Sequence, residues 1–162
     1  MEGLIDELHP RFPEQVWVVV EQPPGEEKRY EFVPDRGEFR RTNLDSLIFA
    51  RGFSGAYGWI SGTGTPPGVH YDALVLCRSG CEPGDVIEGY VSGVFKRGDG
   101  DHKFIIVASD LARDLEATDW SVLPQDLRNE TMRVYPQIGM GEGWRDGDEA
   151  RHMLAHVPPE HD

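Results

Sequence analysis

The sequence is short of cysteine, of basic residues and of long apolar stretches, and each shortage excludes a class of protein. Its two cysteines, Cys77 and Cys81, stand in a C-x3-C arrangement, and no second Cys/His pair follows at zinc-site spacing. We therefore expect two free thiols in a reducing compartment rather than a structural zinc site. Lys and Arg number 16 against 29 Asp and Glu, which gives a formal net charge of −13. Such an acidic chain is poorly suited to nucleic acid or an anionic membrane, because both require basic patches.

The chain also lacks the marks of a membrane or secreted protein. No apolar run approaches the roughly 20 residues that cross a bilayer, and the N-terminal stretch is acidic where a secretory signal would be basic. These features predict a cytoplasmic protein. At 162 residues the chain is long enough to bury a core. We predict one domain over residues 1–162, with its core at about residues 14–155 and a loose tail at residues 156–162.

Several familiar site motifs are incomplete or missing. The Gly-Asp-Gly-Asp turn at residues 98–101 lacks the later ligands and the terminal glutamate of a calcium loop. The glycine-rich stretch at residues 62–65 lacks the Gly-Lys-Ser/Thr of a phosphate-binding loop. No Gly-x-Ser-x-Gly elbow occurs, so nothing supports a serine hydrolase.

What is present in the first two thirds of the chain is a series of short strands. Residues 16–21 form a β-branched apolar run that stops at Gln-Pro-Pro-Gly, and residues 29–33 alternate polar and apolar side chains before a Pro-Asp-Arg-Gly turn. We predict that these two runs form a hairpin. Further strands are predicted at residues 57–60, 73–77, 86–95 and 103–108. A glycine-rich acidic turn at residues 96–102 joins the last two.

Beyond residue 108 the pattern becomes helical. We predict helices at residues 110–116, 124–135 and 146–154. The last begins with acidic residues, which stabilise the N-terminal turn of a helix. Short strands followed by helices predict a mainly β (α+β) fold, in which a small closed barrel carries helices on its outside.

One loop resembles the signature of a known family. Residues 64–76 read Gly-Thr-Pro-Pro-Gly-Val-His-Tyr-Asp-Ala-Leu-Val-Leu. They resemble the Asp-Gly-Asp-Pro-x-Asp loop of the family I soluble inorganic pyrophosphatases, which runs into a Val-Leu-Val-Leu strand. The glycine, the last aspartate (Asp72) and the apolar strand match. The other two aspartates of the signature fall on Pro67 and Val69, and its proline falls on His70.

Further stretches resemble the same family in the same order and cover roughly residues 14–155. They are Val-Val-Val-Glu-Gln-Pro at 18–23, Lys-Arg-Tyr-Glu at 28–31, Leu-Asp-Ser at 44–46, Ala-Tyr-Gly-Trp-Ile at 56–60, Pro-Gly-Asp-Val-Ile-Glu at 83–88, Asp-His-Lys-Phe-Ile-Ile-Val at 101–107, Glu-Gly-Trp at 142–144 and Glu-Ala at 149–150. The resemblance implies a small closed five-stranded OB-like β-barrel with peripheral helices. It also implies a phosphate-type small-molecule ligand and a homo-oligomer.

The resemblance also implies a metal site. Pyrophosphate is a polyanion, and attack by water requires divalent cations, held by carboxylates, that neutralise its charge. We therefore expect Mg²⁺ or Mn²⁺, at fewer sites than in the family. The implied ligands are Asp72, Asp101, Asp99, Glu21 and Glu31. The position of the water-activating carboxylate is Val69, which can accept no proton.

Phosphate binding is implied for a second set of residues, namely Arg29, Lys103, Tyr57 and Tyr135. Other family contacts are changed. The arginine that follows the Leu-Asp pair is Ser46 here, and Arg51 is the only nearby substitute. The lysine that follows the late tyrosine is Pro136.

Three functions are compatible with these residues. The first is a divergent pyrophosphatase that hydrolyses pyrophosphate or a related phosphoanhydride with a metal, at a low rate. The second is a metal-independent enzyme of small-molecule metabolism, in which His70, Asp72 and Tyr57 handle protons. Val69, Phe53 and Ala56 would make its cavity more apolar. His70 would face the same side as Asp72 in an extended chain, and histidine titrates near neutral pH. The third is a non-catalytic binding scaffold.

Overall fold

The computed structural model describes residues 4–78, 80–136 and 138–156. The strands are β1 (Gln15–Gln22), β2 (Lys28–Val33), β3 (Glu38–Asp45), β4 (Ala56–Ile60), β5 (Asp72–Leu76), β6 (Val86–Lys96), β7 (Lys103–Ala108) and β8 (Gly143–Asp146). The helices are α1 (Leu47–Ala50), α2 (Ser109–Leu115), α3 (Gln125–Val134) and α4 (Gly147–His156), with a 3₁₀ turn at Trp120–Val122.

Five of the strands close into a barrel. They follow the order β1, β4, β5, β7 and β6, and β6 pairs with β1 to complete the ring. β5 and β7 are parallel, and the other neighbours are antiparallel. Val18 illustrates the closure, because it pairs with Ile60 of β4 on one side and with Ile87 of β6 on the other. The predicted closed five-stranded barrel with peripheral helices is confirmed.

Two apolar clusters cover the two surfaces of the barrel wall. Successive residues of a strand point to opposite surfaces, so β7 sends Phe104 and Ile106 into one cluster and Ile105 and Val107 into the other. The first cluster draws on all five barrel strands and on α4, and it fills the barrel. The second lies between the outer wall and the other three helices. β7 is buried on both surfaces, which explains its uninterrupted apolar sequence.

The predicted hairpin of the first two strands is wrong. β2 pairs with β3 to form a separate two-stranded sheet. The side-chain amide of Gln22, rather than a backbone ladder, holds the chain between β1 and β2. It donates to the carbonyls of Glu26 and Lys28 at 3.2 and 3.0 Å and accepts from the N–H of Tyr30 at 2.8 Å. The sequence of β3 lacks the alternation of apolar and polar residues that would predict a strand, because most of its residues are exposed and polar.

The structure has one short strand near the C-terminus, β8, that was not predicted. β8 pairs with β6 outside the ring, and its four residues carry too little pattern to predict a strand. The last helix therefore begins after Asp146, whose carboxylate accepts the N–H of Glu149 at 3.1 Å and caps it. His156, expected in the loose tail, is the last residue of α4. The rest of the predicted tail lies outside the described residues.

The two cysteines lie just beyond β5. Cys77 and Cys81 are partly buried, carry free thiols as predicted, and pack against the cluster that fills the barrel.

Within the part of the chain that the structure describes, no helix is both long and apolar enough to cross a membrane.

Candidate functional site

A cavity of about 280 Å³ lies between the two-stranded sheet and the barrel wall. β1 and β2 contribute Glu21 and Arg29, and β4 and β7 contribute Tyr57 and Lys103. Tyr135 follows the end of α3 and completes this set. The cavity thus collects side chains that lie more than 100 positions apart in the sequence.

Lys103 is the centre of the charged cluster beside this cavity. The parallel register of β5 and β7 places Asp72 opposite Lys103. The Lys103 Nζ donates to Asp72 Oδ2 at 2.7 Å, to Asp101 Oδ1 at 2.8 Å and to the Tyr57 hydroxyl at 3.1 Å. The three N–H groups of the ammonium are therefore matched by three acceptors. Burial alone would lower the pKa of Lys103, but the charge of Asp72 and the hydrogen bonds to Asp101 and Asp72 outweigh burial and raise that pKa.

His70 binds the other oxygen of Asp72. Its Nε2 lies 2.8 Å from Asp72 Oδ1 and its Nδ1 lies 2.7 Å from the carbonyl oxygen of Gly68. Because both partners only accept, both ring nitrogens must donate, and the imidazole is held in its charged form. Burial opposes this charge, but the bonds to Asp72 and Gly68 outweigh burial and raise the pKa of His70. Burial likewise opposes the charge of Asp72, while His70 and Lys103 hold the pKa of that carboxyl well below its ordinary range.

Glu21 behaves in the opposite way. Burial, followed by the charge of Asp72, raises the pKa of Glu21 to about 7, although Arg29 and His70 act against the shift. A carboxyl group that titrates near neutral pH in a cavity wall can exchange protons under physiological conditions. Glu21 and Asp72 therefore have opposite environments, because Asp72 has two cationic partners in contact.

The motif analysis missed Arg97. It follows β6 and lines the first cavity together with a second cavity of about 260 Å³. Its guanidinium lies 3.5 Å from Asp99 Oδ2 and 3.7 Å from Asp101 Oδ2. Its Cζ lies 5.6 Å from the centre of the Tyr135 ring. The one signal for Arg97 in the sequence is its position at the start of the glycine-rich acidic turn.

The other implied site residues are distributed between the cavity and the surface. Asp99 lies in the acidic turn, where Oδ1 accepts the N–H of Asp101 at 2.9 Å. Glu31 forms an ion pair with Arg40 across the two-stranded sheet and lines neither cavity. Arg51, the predicted substitute, lines the second cavity.

The altered apolar positions do not shape the cavity. Phe53 and Ala56, expected to make it more apolar, are 3% and 0% exposed, pack in the apolar clusters and line neither cavity. The expectation for these two residues is wrong. Ala56 precedes Tyr57 on β4, so its side chain points away from the cavity that Tyr57 lines, and Phe53 packs in the outer cluster. Val69 is 46% exposed in the loop before β5.

The carboxylates fit one divalent cation better than several. Asp72 and Asp101 converge on a single point, the Lys103 ammonium. Mg²⁺ is commonly held by one or two carboxylates together with substrate phosphates and water, so this pair suits one ion shared with a ligand. Over the described ranges, no three His, Cys, Asp or Glu side chains are grouped closely enough to hold a metal by themselves.

Comparison with known proteins agrees with the motifs. The sequence model of the inorganic pyrophosphatase family matches residues 18–156. The inorganic pyrophosphatase of Thermus thermophilus is 31% identical over 148 residues, which cover 83% of each chain. That of Gluconobacter oxydans is 35% identical over 156 residues, 88% of each chain. The crystal structure of the inorganic pyrophosphatase from Thermus thermophilus superposes with a TM-score of 0.70 at 25% identity and covers 94% of each chain. The chain therefore belongs to the inorganic pyrophosphatase family, as its motifs predicted.

Proposed function

We propose that this chain is a divergent pyrophosphatase that hydrolyses pyrophosphate or a related phosphoanhydride at a low rate. The observation that carries the proposal is a concentration of cations in one cavity of a chain whose net charge is −13. Arg29, Arg97 and Lys103 line that cavity beside the hydroxyls of Tyr57 and Tyr135. Guanidinium and ammonium groups form the strong, charge-assisted hydrogen bonds that phosphate oxygens accept.

We further propose one Mg²⁺ or Mn²⁺ shared between the chain and its substrate. Asp72 and Asp101 would hold it at the point on which their carboxylates converge, once the Lys103 ammonium has moved from that point toward the phosphate. Asp99 would add negative charge nearby, and Glu21 would do so only where it is ionised, since its pKa is raised to about 7. Glu31 is engaged by Arg40 and is left out of this set. A bound divalent cation neutralises phosphate charge and acidifies a water molecule.

The side chains of this site divide into binding and orienting roles. Arg29 and Arg97 would bind the phosphate oxygens. The Tyr57 hydroxyl, which accepts a hydrogen bond from Lys103, would help to orient the phosphate. His70 orients Asp72 rather than removing a proton from water, because both of its ring nitrogens already donate.

The low rate follows from the missing base. Val69 cannot accept a proton, and a positioned general base contributes about 10²- to 10⁴-fold to a rate. We expect turnover to fall below that of an intact site by a factor in this range.

The test is phosphate release from pyrophosphate by the purified chain with Mg²⁺, with Mn²⁺ and with excess chelator. We expect slow release that needs the metal and disappears in Asp72→Asn. Asp114→Asn is a matched control, because Asp114 is an exposed aspartate whose partner is Arg78, on the surface. Metal-dependent release that survives in Asp72→Asn would contradict the proposed ligand.

One observation favours the second candidate function, a metal-independent enzyme in the same cavity. Asp72 and Asp101 are already matched by Lys103, His70 and Arg97, so the cluster is compensated without an added cation. Turnover that persists in excess chelator would select this candidate. A chain that binds pyrophosphate without turning it over under either condition would be the scaffold.

A further inference from the structure

Two exposed histidines lie side by side on the last turns of α4. His152 and His156 are four residues apart, and side chains at this spacing share one face of a helix. Their ring centres are 4.6 Å apart, and the ring planes meet at 46°. Neither residue lines either of the two cavities. The pair is therefore a feature separate from the candidate site described above.

The two rings have nitrogens to offer a ligand. His9 and His70 use both ring nitrogens in hydrogen bonds, and His102 accepts a backbone N–H through Nδ1. His152 and His156 differ, because neither forms a hydrogen bond or an ion pair with another residue of the described ranges. A neutral imidazole keeps one nitrogen lone pair that can bind a metal ion.

The distance between the rings matches a chelate. With a metal–nitrogen bond of about 2.1 Å, the centre of each imidazole lies about 3.2 Å from the metal. Two rings at a right angle around one ion then have centres about 4.5 Å apart, whereas a tetrahedral angle requires about 5.2 Å. The observed 4.6 Å agrees with the right angle. Octahedral and tetragonal ions such as Ni²⁺ and Cu²⁺ have this angle between neighbouring ligands.

The protein supplies two ligands here rather than three. Asp148 lies one helical turn before His152, but its carboxylate accepts a hydrogen bond from Arg151 at 2.5 Å. It is also eight residues, or about 12 Å of helix rise, from His156. This agrees with the lack of any group of three metal-binding side chains within the described ranges. Water would occupy the other coordination positions.

The helix holds the pair in place. Met153 and Leu154, between the two histidines, are buried in the cluster that fills the barrel. Arg151 donates to the carbonyl oxygen of Val91 at 3.0 Å, which ties the same turn to β6. A fixed helix reduces the entropy lost when both rings bind one ion. The pair also lies at the C-terminal end of α4, where the helix dipole favours a cation.

We propose that His152 and His156 form a bidentate site for one divalent transition-metal ion of the Ni²⁺ or Cu²⁺ type. Imidazole nitrogen suits such ions, whereas Mg²⁺ prefers oxygen ligands. The site does not depend on the proposed function, since it lies outside both cavities. Both ligands face the same ion only while the last turn of α4 is helical. A bound ion therefore stabilises this turn against unfolding.

The experiment measures Ni²⁺ binding to the tag-free full chain by calorimetry. An excess of Mg²⁺ is present, so that sites with oxygen ligands are already filled. We expect one Ni²⁺ per chain. His152→Gln and His156→Gln should each weaken its binding at least about tenfold, because the second imidazole acts at a high effective concentration. Asp148→Asn is the matched control on the same helix, and it should change the affinity by less than about threefold.

Urea unfolding provides a second measurement that detects the effect on the helix. Ni²⁺ should raise the urea midpoint of the wild-type chain and of Asp148→Asn, but not that of His152→Gln or His156→Gln. Circular dichroism shows whether each variant folds. Since either substitution removes the chelate, one folded histidine variant is enough for the test.

The outcomes distinguish this inference from the proposed function. Ni²⁺ binding that is absent in the wild-type chain, or unchanged in His152→Gln and His156→Gln, would overturn the metal site. A wild-type urea midpoint that Ni²⁺ does not raise would overturn its link to α4. Both histidine variants should release phosphate from pyrophosphate at the wild-type rate with Mg²⁺. If no variant and no wild-type chain released phosphate, the proposed function would fail while the metal site stood.

Discussion

The charged cluster beside the cavity and the apolar clusters of the barrel are both largely buried, but different forces hold them. The two regions meet on β7, where Lys103 is 5% exposed and the next residue, Phe104, is 0% exposed. Phe104 is stabilised by removal of apolar surface from water, at about 25 cal/mol per Å². Lys103 is buried only because Asp72, Asp101 and Tyr57 accept its three N–H groups.

This contrast has consequences for substitution and for pH. An apolar contact is independent of protonation and is lost in proportion to the atoms removed. A compensated charge cluster fails when one member is removed, because the remaining charges are left buried without partners. The two regions should therefore respond differently to mutations that destabilise the chain by similar amounts.

The largest combined effect, on stability and on ligand binding, should come from Lys103→Met. The substitution keeps most of the side-chain volume but leaves Asp72 and Asp101, which are 12% and 15% exposed, without their shared cation. We expect the free energy of unfolding in urea to fall by about 3 kcal/mol. Pyrophosphate binding should be lost as well. Lys96→Met is the control, because Lys96 is 43% exposed and its nearest carboxylate lies 3.9 Å away.

Leu74→Ala provides the comparison from the apolar region. Leu74 lies two residues after Asp72 on β5 and is fully buried in the outer cluster. Its truncation should cost about 2–5 kcal/mol, while the folded fraction keeps wild-type pyrophosphate affinity. If Lys103→Met and Leu74→Ala affected affinity equally, the proposed separation of the two regions would be wrong.

Glu21→Gln should reveal the cost of a buried charge. A carboxyl whose folded pKa is raised contributes stability that is complete below its ordinary pKa and is lost as the pH rises through the folded value, here about 7. Above pH 8 the variant should therefore be more stable than wild type by roughly 2–3 kcal/mol. At pH 5 the two should differ little.

Chemical denaturation at pH 5 and pH 8.5 measures this difference. An advantage of the same size at both pH values would mean that packing, not ionisation, separates glutamate from glutamine here. Leu74→Ala serves again as the matched comparison, because its cost should not change with pH.

Tyr57→Phe should have the smallest effect. It removes one of the three acceptors of Lys103 and leaves both ion pairs in place. The expected loss is about 1 kcal/mol of stability and up to about tenfold in pyrophosphate affinity. Calorimetry and urea unfolding of the same preparation check both numbers. A loss of binding as complete as in Lys103→Met would contradict the supporting role given to Tyr57.

Strands were predicted correctly where a continuous apolar run or a turn sequence marked them. The apolar runs of β1, β5, β6 and β7 and the polar turn between β6 and β7 allowed these strands to be predicted within two residues of their ends. β3 and β8 carry no such run, because one is largely exposed and the other has four residues. The hairpin prediction failed because Gln22 satisfies the backbone between β1 and β2 through its side chain.

For the site, the motifs identified the charged side chains but not the ion pairs that these side chains form with one another. Asp72, Asp101 and Lys103 were all expected near a ligand, but as metal ligands and a separate phosphate donor rather than as one cluster. Arg97 had no family motif to mark it. The place of Arg97 in the walls of two cavities depends on where β6 ends relative to Tyr135.

Short stretches of sequence were enough to predict the barrel strands, the family and the candidate charged groups. These predictions depend on the periodicity of apolar residues and on short motifs, and both are visible within a few adjacent residues. Only the tertiary structure decided which charges neutralise each other. Asp72 and Lys103 are 31 positions apart and meet through the parallel register of β5 and β7. An ion pair depends on a distance of a few ångströms between side chains, and only the closed barrel sets that distance.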